Sequence, residues 1–258
     1  MMWLLWLLFA WLVCAMTMLL AFGVYVLSRQ VAAADLFWGP GVGLVGWLLL
    51  TARSITVSHV VIMMLVTLWA MRLSTFLWWT RFRVQKEEKR FDGMLQNWGP
   101  SVRFNVFKQY QLQALLQALV AMPVIVLPMN EVLLWPLIIG CGVALCALVG
   151  EGVADGQLHQ FTKNQPRGSL AVCRRGLWRY SRHPNCFFDW LFWCGIAMTC
   201  WGHDAFGLAL LGPMVLWYVF RFITIPITEQ TSCLKRPDYK KYQQQVSCFV
   251  PYMKTPNA

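Results

Sequence analysis

Charge is scarce in this chain, and negative charge is scarcest: 258 residues hold 11 Asp and Glu against 22 Lys and Arg, and charged residues are only 13% of the total. Soluble domains run at about 25% charged residues, so an ordinary water-solvated globule is excluded. No Gly/Ser-rich linker, low-complexity tract or internal repeat interrupts the sequence, which leaves a single membrane domain, 1–258, as the expected organisation. CxxC pairs are absent, and most of the nine cysteines (Cys14, Cys141, Cys146, Cys194 and Cys200 among them) sit inside apolar runs. They read as small apolar packing residues rather than a disulfide framework. The four histidines, His59, His159, His183 and His203, have no partner at i+4, so no metal site is expected. A basic n-region is missing ahead of the first apolar run, which is also too long for a signal peptide. That run is expected to remain as a membrane span.

What the chain has instead is apolar length: 58% of its residues are hydrophobic, well above the ~45–50% of soluble domains. Helix crossing about 30 Å of hydrocarbon needs roughly 20 apolar residues. That length picks out seven spans, near 2–27, 36–51, 55–80, 111–128, 131–150, 185–201 and 205–226. The expectation is an all-α integral membrane protein, with three spans and a loop over 1–110 and four spans over 111–258. Lys and Arg gather after the third span (Arg81, Arg83, Lys86, Lys89, Arg90), after the fifth (Lys163, Arg167, Arg174, Arg175) and in the tail (Lys235, Arg236, Lys240, Lys241, Lys254). Basic loops stay cytoplasmic. The N-terminus is therefore expected outside and the C-terminus in the cytoplasm, with only Arg53 on the wrong side. The excess of positive charge is used for orientation and for an anionic cofactor, not for nucleic acid.

Gly41-Val42-Gly43-Leu44-Val45-Gly46 spells GxGxxG, but the dinucleotide fingerprint needs a preceding strand and a βαβ unit. Within a span these glycines read as close-packing positions. Arg72 lies inside the third span, where a cation is a functional candidate by default, the alternative being a structural ion pair. Glu151 and Asp155 stand one helical turn apart at the end of the fifth span, facing the basic run from Arg174 to Arg182 as site or as ion-pair network. The stretch GLWRYSRHPNCFFD, 176–189, packs Arg179, Arg182, His183, Asn185 and Asp189 against an apolar run. It is either a site opening to the cytoplasm or a basic loop that anchors topology. Arg221 and Glu229 lie at the same depth, and guanidinium forks match phosphate.

GLWRYSRHPN with an acid four residues after the Asn, together with WAMRLSTF, KEEKRFDGMLQNWG, EGVADGQLHQF and the tail EQTSCLKRPDYKKYQQQVSCFVP, resembles the C-terminal domain of the steroid 5-alpha-reductase family, and its bacterial-type membrane relatives more closely. The resemblance covers most of the chain and is strongest over about 145–252. It implies a seven-helix oxidoreductase that takes NADPH from the cytoplasmic side and reduces a carbon–carbon double bond conjugated to a carbonyl in a steroid- or lipid-like substrate. By the same resemblance Asn185 and Asp189 would meet the nicotinamide, Asp155, Tyr180 and Arg221 would bind elsewhere on the cofactor, and Arg83 would lie near the phosphates. Arg179, Arg182, His183 and Glu229 complete the candidate cofactor set.

The chain departs from that family at several positions. Cys186 stands where relatives have Tyr, Phe188 where they have Gly, and Asp189 is one methylene shorter than the usual Glu. The Gln-Glu pair that polarises the enone in the steroid enzymes has no match, and their catalytic tyrosine falls near Trp69. Asp35 and Arg72 are the nearest candidates for substrate polarisation. Two other functions fit a basic membrane-edge motif: an S-adenosylmethionine-dependent methyltransferase, whose cofactor needs fewer arginines, and a non-catalytic lipid-binding protein.

Overall fold

The computed structural model describes residues 2–52, 55–83, 99–128, 132–166 and 168–252. Arg53, Lys86, Lys89, Arg90, Arg167 and Lys254, which entered the orientation argument, lie outside them. Among the described residues twelve α-helices follow in chain order: α1 Met2–Ser28, α2 Ala33–Leu36, α3 Trp38–Thr51, α4 Val57–Leu77, α5 Val102–Val120, α6 Met122–Ile125, α7 Leu134–Lys163, α8 Pro184–Met198, α9 Phe206–Ala209, α10 Leu211–Tyr218, α11 Ile225–Lys235 and α12 Tyr239–Gln245. The described residues form no strand, only one isolated bridge between Ser181 and Ser247. The protein is an all-α membrane protein: among the described residues five helical stretches, Trp3–Ser28, Ala33–Thr51, Val57–Phe82, Leu134–Lys163 and Phe206–Lys235, are long and apolar enough to cross a bilayer.

The expected fourth and sixth spans are helical but fall short of that measure. Helix α5 carries Lys108, Gln109, Gln111, Gln113 and Gln117, and it stops at Ala121, two residues before Pro123. Helix α8 has 15 residues, or about 22 Å of rise. Helix α7, at 30 residues, rises about 45 Å, so its second half, with Glu151 and Asp155, extends beyond the apolar stretch. Prolines set several of the breaks. Helix α9 ends at Ala209 and helix resumes at Leu211, because Pro213 has no N–H to bond the Ala209 carbonyl. Pro226 likewise cannot donate to the Phe222 carbonyl, and the preceding turn, Val219–Thr224, widens to a π-helix.

The chain divides into two compact units, one made of 1–142 with 193–215 and the other of 143–192 with 216–258. In the first, α1 packs along α5 and α3 along α4. Phe22 meets Phe107 and Tyr110 edge-on at 5.6 and 6.2 Å between ring centroids, and the buried Tyr110 hydroxyl donates to the Val31 carbonyl at 2.8 Å. The fingerprint glycines are packing positions: a Cβ on Gly41 would lie 2.8 Å from Gln117 Oε1, and one on Gly46 would meet Met63 and Val124. Helix α4 starts with a capping box between Thr56 and His59. His59 is buried, and its Nε2 donates to the Pro128 carbonyl at 2.8 Å while Nδ1 accepts from the Thr56 amide at 3.3 Å. The histidine is a structural tie.

Candidate functional site

Nine of the candidate residues, Asp155, Arg179, Tyr180, Arg182, His183, Asn185, Asp189, Arg221 and Glu229, belong to the second unit. Its local architecture begins at Gly176, whose φ of 56° suits glycine and whose missing side chain leaves room for Gln157. The following 3-10 turn, Gly176–Arg179, is pinned to α7: the Leu177 amide donates to Gln157 Oε1 and Trp178 Nε1 to the Ala154 carbonyl, each at 2.9 Å. That places the turn beside Asp155, 5% exposed, on the same helix as Glu151, 4% exposed.

The C-terminal tail holds this stretch from its other side. Ser181 Oγ donates to the Phe249 carbonyl at 2.7 Å, the Arg182 amide to the Ser247 carbonyl at 2.8 Å and the Tyr252 amide to the Tyr180 carbonyl at 3.1 Å. Phe249 inserts between Phe187 and Trp190, 5.8 Å from each ring centroid. The buried Tyr242 hydroxyl reaches the Trp178 carbonyl at 2.5 Å.

Arg182, 7% exposed, is the hub. Its Nε and Nη2 donate to the two Glu229 carboxylate oxygens at 2.6 and 3.3 Å, and Nη1 donates to the carbonyls of Gln243 and Val246, both at 2.7 Å. Those carbonyls lie in the last turn of α12 and on its C-cap residue Val246, where no intrahelical donor remains, so the guanidinium is at once ion pair and helix C-terminal cap. Burial alone would lower its pKa, but hydrogen bonds and charge from Glu229 outweigh it and hold it above the ordinary arginine value. Glu229 also meets His183 Nε2 at 3.1 Å and Gln243 Nε2 at 2.7 Å. The carboxylate is thus surrounded by donors.

Helix α8 starts with Pro184 at its first position, where a missing N–H costs nothing, and the Phe187 amide closes the first turn on the His183 carbonyl at 3.1 Å. Asn185 and Asp189 consequently stand one above the other. The Phe188 departure has a local reason: its ring fills the space left by Gly150, where a Cβ would come within 2.6 Å of it. Asn185 Oδ1 is shielded from solvent and has no hydrogen-bond partner, a costly state for a buried acceptor. Arg179 and Arg221 are exposed, the latter with its guanidinium 5.6 Å from the Phe222 ring.

The other three candidates belong to the first unit. Asp35 forms an ion pair with Arg81 at 2.9 Å. Arg72 lies 5.7 Å from the Phe76 ring, and Arg83, exposed, lies 4.3 Å over Trp79. Sequence reasoning missed Gln157, Trp178, Ser181, Tyr242, Gln243, Ser247 and Phe249, which build the frame. One signal was available: Tyr239, Tyr242 and Val246 recur at helical spacing and form a buried cluster. Among the described residues no group of three or more His, Cys, Asp and Glu side chains is placed to hold a metal.

Comparison with known proteins gives a family match over most of the chain. The profile described as protein of unknown function, DUF1295, matches residues 21–246. An uncharacterised protein of Schizosaccharomyces pombe is 31% identical over 84 residues, covering 30% of this chain and 22% of that protein. The chain therefore aligns with about a fifth of that relative's length. No solved structure matches.

Proposed function

We propose, from the premise that this chain belongs to the DUF1295 family, that it is a multi-pass membrane oxidoreductase that uses NADPH to reduce a conjugated carbon–carbon double bond of a steroid- or lipid-like substrate. The observation that carries this reading is Asn185 Oδ1, a buried acceptor without a donor, one helical turn from Asp189 at the start of α8. A carboxamide offers both N–H and C=O, and this pair suits its N–H groups. Exposed Arg179 and Arg221 would meet the phosphates. Arg182, His183 and Glu229 spend their hydrogen bonds on each other and on the tail, so they act by fixing the turn that carries Asn185. NADPH, when bound, supplies the hydride. Asp155 and Tyr180 would flank the cofactor, as the resemblance to the steroid 5-alpha-reductases implies.

The same reading includes seven passes, an external N-terminus and a cofactor site facing the cytoplasm. Helix α5 buries Tyr110, Ala114, Gln117 and Ala118, and a span enclosed by protein need not be apolar all round. With α5 and α8 counted as passes, the basic segments after the third and fifth spans and in the tail share one side. Thermal stabilisation of the purified protein tests the cofactor. NADPH at a hundredfold its dissociation constant should stabilise by about 2.7 kcal/mol, more than NADH or S-adenosylmethionine at equal concentration. Asn185→Ala should weaken NADPH binding by roughly ten- to a hundredfold without loss of membrane insertion. Stabilisation by S-adenosylmethionine alone, or unchanged NADPH affinity in Asn185→Ala, overturns the assignment.

A further inference from the structure

A groove of about 460 Å³ runs between α3 and α4 in the first unit, lined by Pro40, Gly43, Leu44 and Trp47 on one side and by Thr67, Ala70, Met71, Ser74 and Thr75 on the other. Both linings repeat at helical spacing, and both lie within stretches long and apolar enough to cross a bilayer. We propose that this groove is a seat for one acyl chain of a membrane lipid.

The groove is built, rather than left over between two cylinders. At one end α3 and α4 approach so closely that a Cβ on Gly39 would lie 2.6 Å from the Ala70 carbonyl oxygen. Pro40 cannot donate to the Leu36 carbonyl four residues back, and the Ser74 hydroxyl takes that place at 3.0 Å. At the other end Trp47 Nε1 donates to Thr67 Oγ1 at 2.9 Å and bridges the two helices. Gly43 forms the floor, with the Ala70 methyl 3.8 Å from where its Cβ would stand. Leu44, Trp47 and Met71 are exposed along the rim.

Chemistry decides the occupant. Each hydroxyl in the wall gives its hydrogen to backbone: Thr67 to the Met63 carbonyl, Ser74 to that of Leu36 and Thr75 to that of Met71, at 2.7, 3.0 and 2.7 Å. The Trp47 N–H is spent on Thr67. Without a donor to offer, the slot cannot select a keto group on a ring system, and it needs none to hold a hydrocarbon chain, which binds through apolar area alone. Pro40 to Trp47 spans about 10 Å of helix, room for part of an acyl chain. This inference stands independently of the cofactor assignment.

The test uses the full-length protein in phosphatidylglycerol vesicles containing a phosphatidylglycerol with a photoreactive diazirine midway along one acyl chain. After irradiation, mass spectrometry of peptides should find label concentrated at Leu44, Trp47 and Met71, above the level at other exposed lipid-facing residues such as Leu20 and Leu145. Gly43→Leu, which fills the floor, should reduce labelling there to the level of those controls. Met71→Trp, a change at an exposed rim position, should do the same if Gly43→Leu disturbs folding. Label spread evenly over all lipid-facing helices, or unaffected by both substitutions, overturns the proposal. So does displacement of the label by a saturating four-ring ketone, which would make the slot a ring site.

Discussion

Arg182→Met offers the sharpest test of how the second unit is held together. The substitution keeps an apolar stem and removes the guanidinium of a side chain that is 8% exposed from the carboxylate of one that is 13% exposed. Breaking one side of a buried pair typically costs about 3–5 kcal/mol, because the remaining charge is stranded. Here the lower end applies, near ~3 kcal/mol, since Glu229 retains donors from His183 and Gln243. The carbonyls of Gln243 and Val246 lose their cap as well. A loss of that size lowers Tm by roughly 6–12 °C in a chain of this length. Arg182→Lys keeps charge but not the planar fork and cannot reach both carboxylate oxygens and both carbonyls, so an intermediate loss of about 1–2 kcal/mol is expected. The decisive variant is Arg182→Met with Glu229→Gln, which removes both charges and should recover a large part of the loss. Thermal unfolding in detergent, with limited proteolysis of the 239–252 tail as a local readout, gives the coupling energy. If the double variant loses as much as the two single variants added together, the pair carries no coupling and the account of Arg182 as hub is refuted.

Three other outcomes follow from the same geometry. Burial pushes the phenol pKa of Tyr239 and Tyr242 above the ordinary tyrosine value. A group whose folded pKa is raised contributes stability that is complete below its unfolded pKa of about 10 and is lost as pH rises toward the folded value. The tail should therefore loosen above about pH 10, and Tyr242→Phe should flatten that dependence while removing about 1 kcal/mol for its hydrogen bond. Gly39→Ala should destabilise the α3–α4 contact, because the new methyl meets backbone at Ala70 that cannot rotate away, whereas Gly43→Ala, with 3.8 Å of clearance, should be tolerated; comparative thermal unfolding decides. A reporter fused at the C-terminus should read cytoplasmic and one inserted near Met129 external, and both on one side would refute the seven-pass topology.

Several features were legible in sequence because they rest on local chemistry. Long apolar runs announce membrane helices whatever they pack against, and the runs at 2–27, 36–51, 55–80, 131–150 and 205–226 overlap the five stretches able to cross a bilayer. Pro184 marks the start of α8, which by helical spacing alone sets Asn185 above Asp189. The packing role of Gly41 and Gly46 followed from the absence of a strand ahead of them.

Contacts that join distant positions were not legible. Arg182 and Glu229 both stood out as charged residues at a membrane edge, yet nothing in their spacing of 47 residues indicates that they neutralise each other. A guanidinium offered to phosphate and one spent on an internal carboxylate look the same in one dimension. Asp35 read as a candidate for substrate polarisation, and tertiary structure gave it Arg81. Phe188 in place of glycine looked like a defect until Gly150 appeared opposite it. By itself, the sequence determined that the chain lives in a membrane and roughly where five long apolar helices run, because hydrophobic length and proline act within a few residues of themselves. Only the tertiary structure decided which polar groups are consumed by the fold and which, like Asn185 Oδ1, are left wanting a partner, because a buried hydrogen bond is made by residues that meet in space and leave no mark of the meeting in the order of the chain.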